Sequence, residues 1–545
     1  MAKSRPIQQI VINGKIATME GDGIFVEALA IRDGRVAAQG STADMRALAP
    51  HAEVIDCGGR TVLPGFIDSH CHPDMHGARL GRWTDLSEGL SSKEDLLQLI
   101  RKSVDGTPQN RWFVGFRYDD LRLGGYPTRE ELDAAAGGRP AFLYRRDAHL
   151  GFANSAALKL VGFTRDSKDP PFGRLDRHPE TGELTGLLRE TAAHEVVNYN
   201  QADFTSDDFA SGLVKVFADF STYGITSVHN SLCSTHGIIA YQKMREAGNL
   251  RMRVGLLASG REDELIQAII RSGWRTGFGD EWVRLTGVEW CPDCSTSGRT
   301  AAYYDPYVGQ KVLGEPDDNR GMLLYELEDF KQRVLQAHQA GLLVGADGVG
   351  DRGIDFVLDA YEHALDHHPV DDHRMRVEHC CNVTPTILQR LKRLKVICSS
   401  ATGFAYDLGD AYRRNRGPEA MRYMWPHRSM IDAGVVAPGH SDSPVCHPNP
   451  LRAIHSMVNR VTDTGADLDQ REAVSVYEAI EAYTTLGAYC GKEEHLKGDL
   501  GLGKLADFIV LEEDIFTMDK KRLDQLKIRE TYIGGEPVFR RNGAA

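Results

Sequence analysis

About eight times along this 545-residue chain, a short apolar run of strand length is followed by a stretch with the periodicity of an amphipathic helix. The runs fall at 62–72, 225–229, 252–258, 283–290, 342–347, 375–379, 396–400 and 435–442. Neighbouring parallel strands cannot be joined by a tight turn, so a helix must carry the chain back over the sheet each time. Eight such units suffice to close the sheet on itself, which predicts a (β/α)8 barrel. The intervening helices are legible in detail: Thr384-Pro385 supplies an N-cap and a first-turn proline, and Ile387, Leu388, Leu391 and Leu394 then share one face. Phe330, Val334 and Leu335 do the same ahead of Gly341.

Both ends depart from this pattern. Near the start, Ile10-Val11-Ile12, Ala28 to Ile31 and Val36 to Ala38 alternate like sheet around an Asp33-Gly34 hairpin signal, and 506–511 and 531–533 are strand-like again near the end. Pairing of the two ends predicts a composite β-sandwich domain, 1–61 plus 493–545, beside a barrel at 62–492. The gap at about 85–220 exceeds any ordinary strand-to-helix connection and predicts an inserted subdomain after the first barrel strand, placed to shape a pocket.

Composition excludes whole classes of function. Sixty-four basic and 77 acidic residues give a net charge of −13, with no long basic block, so nucleic acid is not an expected partner. No run approaches about 18 apolar residues and the start lacks a signal-peptide core, so the expectation is a cytoplasmic protein without a membrane partner. Ten cysteines in 545 residues are too sparse for a disulfide scaffold. The Cys291–Cys294 C-x-x-C pair has no second pair to complete a zinc ribbon, and its role stays open between lining a pocket and adding a soft ligand. Three histidines in 366–373 (DHHPVDDH) precede a strand, at the end of the barrel away from the expected chemistry, and read as a solvated loop.

Barrel chemistry belongs at the C-terminal strand ends, where the loops converge. The first strand ends in His70-Cys71-His72, and alternation puts both imidazoles on one face, able to share a metal ion. With 20 histidines, an H-x-H arises by chance roughly once, so the tripeptide alone is weak. The ends of the fourth, sixth and eighth strands add Glu289, His379 and Asp442, acids and an imidazole that are costly to bury together without a cation. Position alone thus makes His70, His72, Glu289, His379 and Asp442 the expected metal set.

These residues resemble a known family. His70-Cys71-His72 after Leu63-Pro64-Gly65-Phe66-Ile67-Asp68, Val377-Glu378-His379 and Ser441-Asp442-Ser443-Pro444 are similar to the metal-binding motifs of the amidohydrolase superfamily. The segment 182–190 (GELTGLLRE), Asp147-Ala148-His149 with Asn154-Ser155, Gly350-Asp351-Arg352 and Gly503-Lys504-Leu505-Ala506-Asp507 resemble its YtcJ-like or AepA-like branch, which includes N-substituted formamide deformylases. The resemblance implies a barrel with a two-ended β-sandwich, one or two divalent metals, and hydrolysis of C–N bonds in small non-peptide amides; it also admits a homodimer. Two departures stand out: Glu289 occupies the place of a lysine that is often carboxylated, and Asp347 that of a strand-five histidine.

Glu289, Asp347, Asp442 and a hydroxide would balance two divalent cations completely, leaving a less electrophilic centre. This favours one firmly held ion, zinc first, at His70, His72 and Asp442 with or without Glu289, and a weaker oxygen-rich position at Glu289, Asp347 and His379 that suits manganese or iron(II) or stays empty. The expected mechanism is attack of an activated water on an amide carbonyl. Asp442 shuttles the proton, His379 polarises the carbonyl, and His149 from the insertion holds the substrate, unless an internal hydrogen bond occupies it. The rival readings are a non-hydrolytic barrel enzyme, a decarboxylase or hydratase, and a barrel that has lost catalysis and serves as a binding protein.

Overall fold

The computed structural model describes residues 6–106, 108–311 and 315–541. Its centre is a parallel sheet of seven strands: β1 (Phe66–Cys71), β2 (Ile225–Cys233), β3 (Arg253–Ser259), β4 (Val283–Trp290), β5 (Leu343–Gly348), β6 (Arg376–His379) and β7 (Ile397–Ser400), each paired with its neighbour in chain order. The expected eighth strand is irregular. Residues 435–442 nevertheless lie between β7 and β1, because Cys398 N donates to Val436 O (2.9 Å) and Ser400 N to Pro438 O (2.8 Å), while Asp442 N donates to His70 O (2.9 Å). Pro438 has no N–H to give and Asp442 takes a positive φ of 57°, so a regular ladder cannot form, although the segment still closes the ring.

The expected first strand, 62–72, divides at Gly65. Thr61–Pro64 pairs antiparallel with Phe508–Leu511 in a six-stranded sheet made from both chain ends, and only β1 belongs to the barrel. A Cβ on Gly65 would fall 2.2 Å from Thr226 Oγ1, so the crossing needs a residue without a side chain. A four-stranded sheet from the first 56 residues faces this one across a core that includes Val11, Leu29, Ile31, Val62, Phe508 and Tyr532. Its Asp33-Gly34 hairpin has positive φ at both residues, as the dipeptide predicts.

Between β1 and β2 the chain forms a further six-stranded sheet, from Thr84–Asp85 to Leu184–Glu190. Helix Ser206–Thr222 then returns to the barrel and crosses helix Pro73–Arg82 at Gly77 and Gly212, where a Cβ on Gly212 would lie 2.0 Å from the Gly77 carbonyl oxygen. Helices Leu327–Gln339 and Pro385–Leu394 bury Phe330 and Val334, and Ile387 and Leu391, as their periodicity predicts, and Thr384 caps the second through Ile387 N. Among the described residues, no helix is long and apolar enough to cross a membrane. Residues 366–372 are exposed, and His373 is buried with Nε2 on the Leu394 carbonyl.

Candidate metal centre

Strand alternation and the barrel's closure bring most of the expected residues to one point. His70 ends β1 and His72 begins the next helix as its N-cap; both turn toward Asp442 Oδ1, with Nε2 at 3.3 Å and 3.0 Å. The far side of each ring fixes its tautomer. His70 Nδ1 lies 3.0 Å from Glu378 Oε2, and His72 Nδ1 lies 2.9 Å from the Ser231 carbonyl oxygen, so each Nδ1 carries the donated proton. In that tautomer each Nε2 presents a lone pair to a carboxylate oxygen with no proton between them. Two imidazole nitrogens and a carboxylate so arranged repel unless a cation sits among them, and nitrogen with oxygen donors suits zinc.

A second group shares His70: His379 Nε2 lies 3.5 Å from Asp347 Oδ1, and ligand atoms of His70, Asp347 and His379 lie within 4.8 Å of one another. Glu289 sits beneath, 0% exposed, with Oε1 3.6 Å from His70 Nδ1 and neither carboxylate oxygen in a hydrogen bond. Gly345 makes room for it, since a Cβ there would lie 2.9 Å from Glu378 Oε1 and 3.4 Å from Glu289 Cγ. The donor set thus fits a divalent cation, and the orphaned Glu289 carboxylate fits a site that expects positive charge.

Electrostatics follow from burial and proximity. Burial, with Asp347 and Glu378 close by, pushes the Glu289 carboxyl up to about 8 although His70 pulls the other way. Burial also works against ionised Asp442, but positive charge on the neighbouring imidazoles, His379 first, holds its carboxyl well below the usual range; with those imidazoles neutral, a bound cation would take that part. Asp347 is lowered by His379 against the same burial cost. His379 and Asp442 both sit at positive φ, 63° and 57°, backbone strain of the kind that clusters where side chains must be aimed.

Three neighbours escaped the sequence reading. His440 is fully buried with both ring nitrogens unpartnered, its ring 4.8 Å from His70 and 5.2 Å from His379; burial, then the charges of those two imidazoles, keeps it neutral. It stands two residues before Asp442, so the alternation that paired His70 with His72 could have found it. Glu378 orients His70 and is clamped by Arg376, whose Nε lies 2.6 Å from Oε1. Both residues lie on β6, and they tie it to β1 through His70 and the Ser69 carbonyl, a long-range contact that a linear motif does not record.

His149 does not reach these groups. Its Nδ1 is 2.8 Å from Glu190 Oε2, and although burial opposes protonation, Glu190 lifts the imidazole to about 9. It still lines a cavity of about 630 Å³ shared with His72, Asp347, His379 and Asp442. Cys291 lines that cavity too, and every cysteine is a free, buried thiol.

Relatives share this architecture. The chain is 28% identical over 546 residues to an N-substituted formamide deformylase of Arthrobacter pascens, covering 98% of this chain and 99% of that one. It is likewise 28% identical to the putative amidohydrolase YtcJ of Bacillus subtilis strain 168, over 97% of this chain and 99% of the relative. The crystal structure of an uncharacterised metal-dependent hydrolase from Pyrococcus horikoshii superposes with a TM-score of 0.75 at 25% identity, covering 94% of this chain and 99% of that one. Residues 28–52, which contribute two strands of the N-terminal four-stranded sheet, match a bacterial imidazolonepropionase-like composite domain. With barrel, end sheets and convergent imidazoles in place, and a match to the amidohydrolase family over residues 53–539, the chain belongs to that family and is a hydrolase.

Proposed function

We propose that this hydrolase cleaves the C–N bond of a small non-peptide amide with metal-activated water. The carrying observation is the lone-pair convergence of His70 Nε2 and His72 Nε2 on Asp442 Oδ1 at the cavity floor. His70, His72 and Asp442 would hold the first ion, zinc by donor set. Glu289, Asp347 and His379, with His70 at their centre, would hold a weaker second ion, for which manganese or iron(II) are alternatives. A divalent cation supplies acidification of water and polarisation of the carbonyl oxygen.

The protein's own groups supply the rest. Asp442 takes the proton of the attacking water and returns it to the leaving nitrogen; a C–O bond forms, the C–N bond breaks, and amine and carboxylic acid depart. His379, whose ring packs 4.6 Å from that of His70 and which lines the same cavity, would donate to the developing oxyanion. His149, held protonated by Glu190, binds a substrate oxygen from the cavity wall. The similarity to a formamide deformylase makes N-substituted formamides the first substrates to try. The protein is read as cytoplasmic, with a homodimer as its assembly.

The test is metal analysis with N-benzylformamide turnover in 18O water. Near-stoichiometric zinc, label in the formate, and loss of activity on chelation with recovery on zinc addition are expected. Turnover that survives complete metal removal, or product without label, overturns the reading.

A further inference from the structure

The cavity wall above the metal groups carries a positive charge that the hydrolytic step does not use. Arg79, on helix Pro73–Arg82, lies with Cζ 5.3 Å from the Trp83 ring and 5.1 Å from the Tyr144 ring, and its Nε is buried without a hydrogen-bond partner. Arg261, just past β3, is solvent-accessible, contacts the Cys291 thiol and faces the phenols of Tyr144 and Tyr325. Neither phenol is an anion at neutral pH, because burial pushes both up to about 12. The two guanidiniums feel each other across Tyr144, and His194 beside them is held neutral by burial and then by Arg261.

The other arginines of the cavity are matched. Arg117 pairs with Asp85 (3.0 Å), Arg145 with Asp120 and Asp147 (both 2.5 Å), and Arg146 with Asp119 (2.9 Å). Of the lining acids outside the metal groups, Asp147 is thereby taken, Glu262 accepts from Thr235, and Glu195 is exposed. Two like charges in a partly desolvated cavity repel, and a planar guanidinium fork is built to grip an oxyanion.

We infer that Arg79 and Arg261 form an anion subsite, so that the substrate is a small N-acyl compound whose amide lies at His72 and Asp442 and whose carboxylate, or other oxyanion, lies between the two guanidiniums. At about 630 Å³ the cavity has room for both ends of such a molecule. The reaction named here rests on the hydrolase reading; the subsite does not.

The test uses the metal-loaded protein with three matched probes: N-benzoylglycine, its aminomethylphosphonate counterpart, and N-benzoylglycinamide. Hydrolysis is followed by kcat and KM, and binding by calorimetry. The charged probes are expected to bind at least about tenfold more tightly than the amide and, where turned over, to gain through KM. In Arg261→Met the ratio of charged to neutral probe collapses toward one, and Arg261→Lys restores part of it; Arg79→Met acts in the same direction. Because Arg261 is solvent-accessible, its variant keeps the test valid if loss of the buried Arg79 impairs folding. Tighter binding of the phosphonate than of the carboxylate keeps the subsite and identifies a phosphate-type ligand. Selective loss of anion binding in Arg261→Met without hydrolysis of any probe keeps the subsite and removes the hydrolase reading. Equal affinity for acid and amide in the unaltered protein, or equal loss of both in Arg261→Met, overturns the inference.

Discussion

The two ends of the barrel treat buried charge in opposite ways. At the closed end, Arg253 on β3 meets Asp507 from the C-terminal sheet through two bonds, Nε to Oδ2 at 2.6 Å and Nη2 to Oδ1 at 2.9 Å; Gly534 N adds a third to Oδ1, and Arg253 Nη1 donates to Glu281 O. Every one of those groups has a protein partner. At the mouth, Glu289 has none for either oxygen, His440 none for either nitrogen, and two imidazole lone pairs face one carboxylate. A single loop repeats the contrast: Asp293, four residues past Glu289, is just as buried yet accepts backbone N–H bonds from Cys294, Ala302, Val349 and Gly350 at 2.6–2.9 Å. Charge that the fold itself satisfies is architecture, and charge left unsatisfied is waiting for something the chain does not contain.

The hardest way to break this contrast is Asp442→Asn. Loss of the proton shuttle lowers kcat about 10³-fold or more, while circular dichroism and Tm change little; near-normal turnover refutes the assigned role. At the other end, Asp507→Ala strands a buried guanidinium and costs about 3–5 kcal/mol of stability in denaturant titration, with kcat per folded molecule retained. A Tm unchanged by that substitution would mean the closed end is not held by this pair.

Glu289→Gln separates the two kinds of charge most sharply. Metal affinity falls about 10–100-fold in competition with a chelator, whereas the stability of the metal-free protein near neutral pH changes little, because a carboxyl raised to about 8 is already largely neutral there. Destabilisation in both states would place Glu289 with the architectural charges. The smallest expected effect concerns His149. Its folded-state value of about 9 lies above the ordinary 6.5, so its contribution is fully present below pH 6.5 and is lost as pH rises through 9. His149→Gln should flatten the fall in unfolding free energy across that window, measured by denaturant titration, by an amount on the order of 1–2 kcal/mol; an unaltered slope removes the charged pair with Glu190.

Legibility in the sequence tracked how local each determinant is. His70 and His72 were visible because alternation needs only three residues, and His379 and Asp442 because each ends an apolar run at a predictable height in the barrel. His440 lay within the same rule but was passed over. Glu378, Arg79 and Arg261 were invisible for another reason: their meaning lies in what faces them, His70 across the ring for Glu378, and, among the described residues, no ion-pair partner for Arg261. The break at Gly65 was hidden because 62–72 is apolar throughout, and a continuous apolar run cannot say which of two sheets each half joins.

The linear order of residues therefore determined the barrel class, the two-ended sheet and the choice of imidazoles and acids, since periodicity and strand-end position are properties of short windows. Only the folded chain decided which tautomers the histidines hold, which carboxylates go unpartnered and which arginines stand without an acid. Those depend on residues hundreds of positions apart, such as His72 and Asp442, arriving within 3.0 Å of each other.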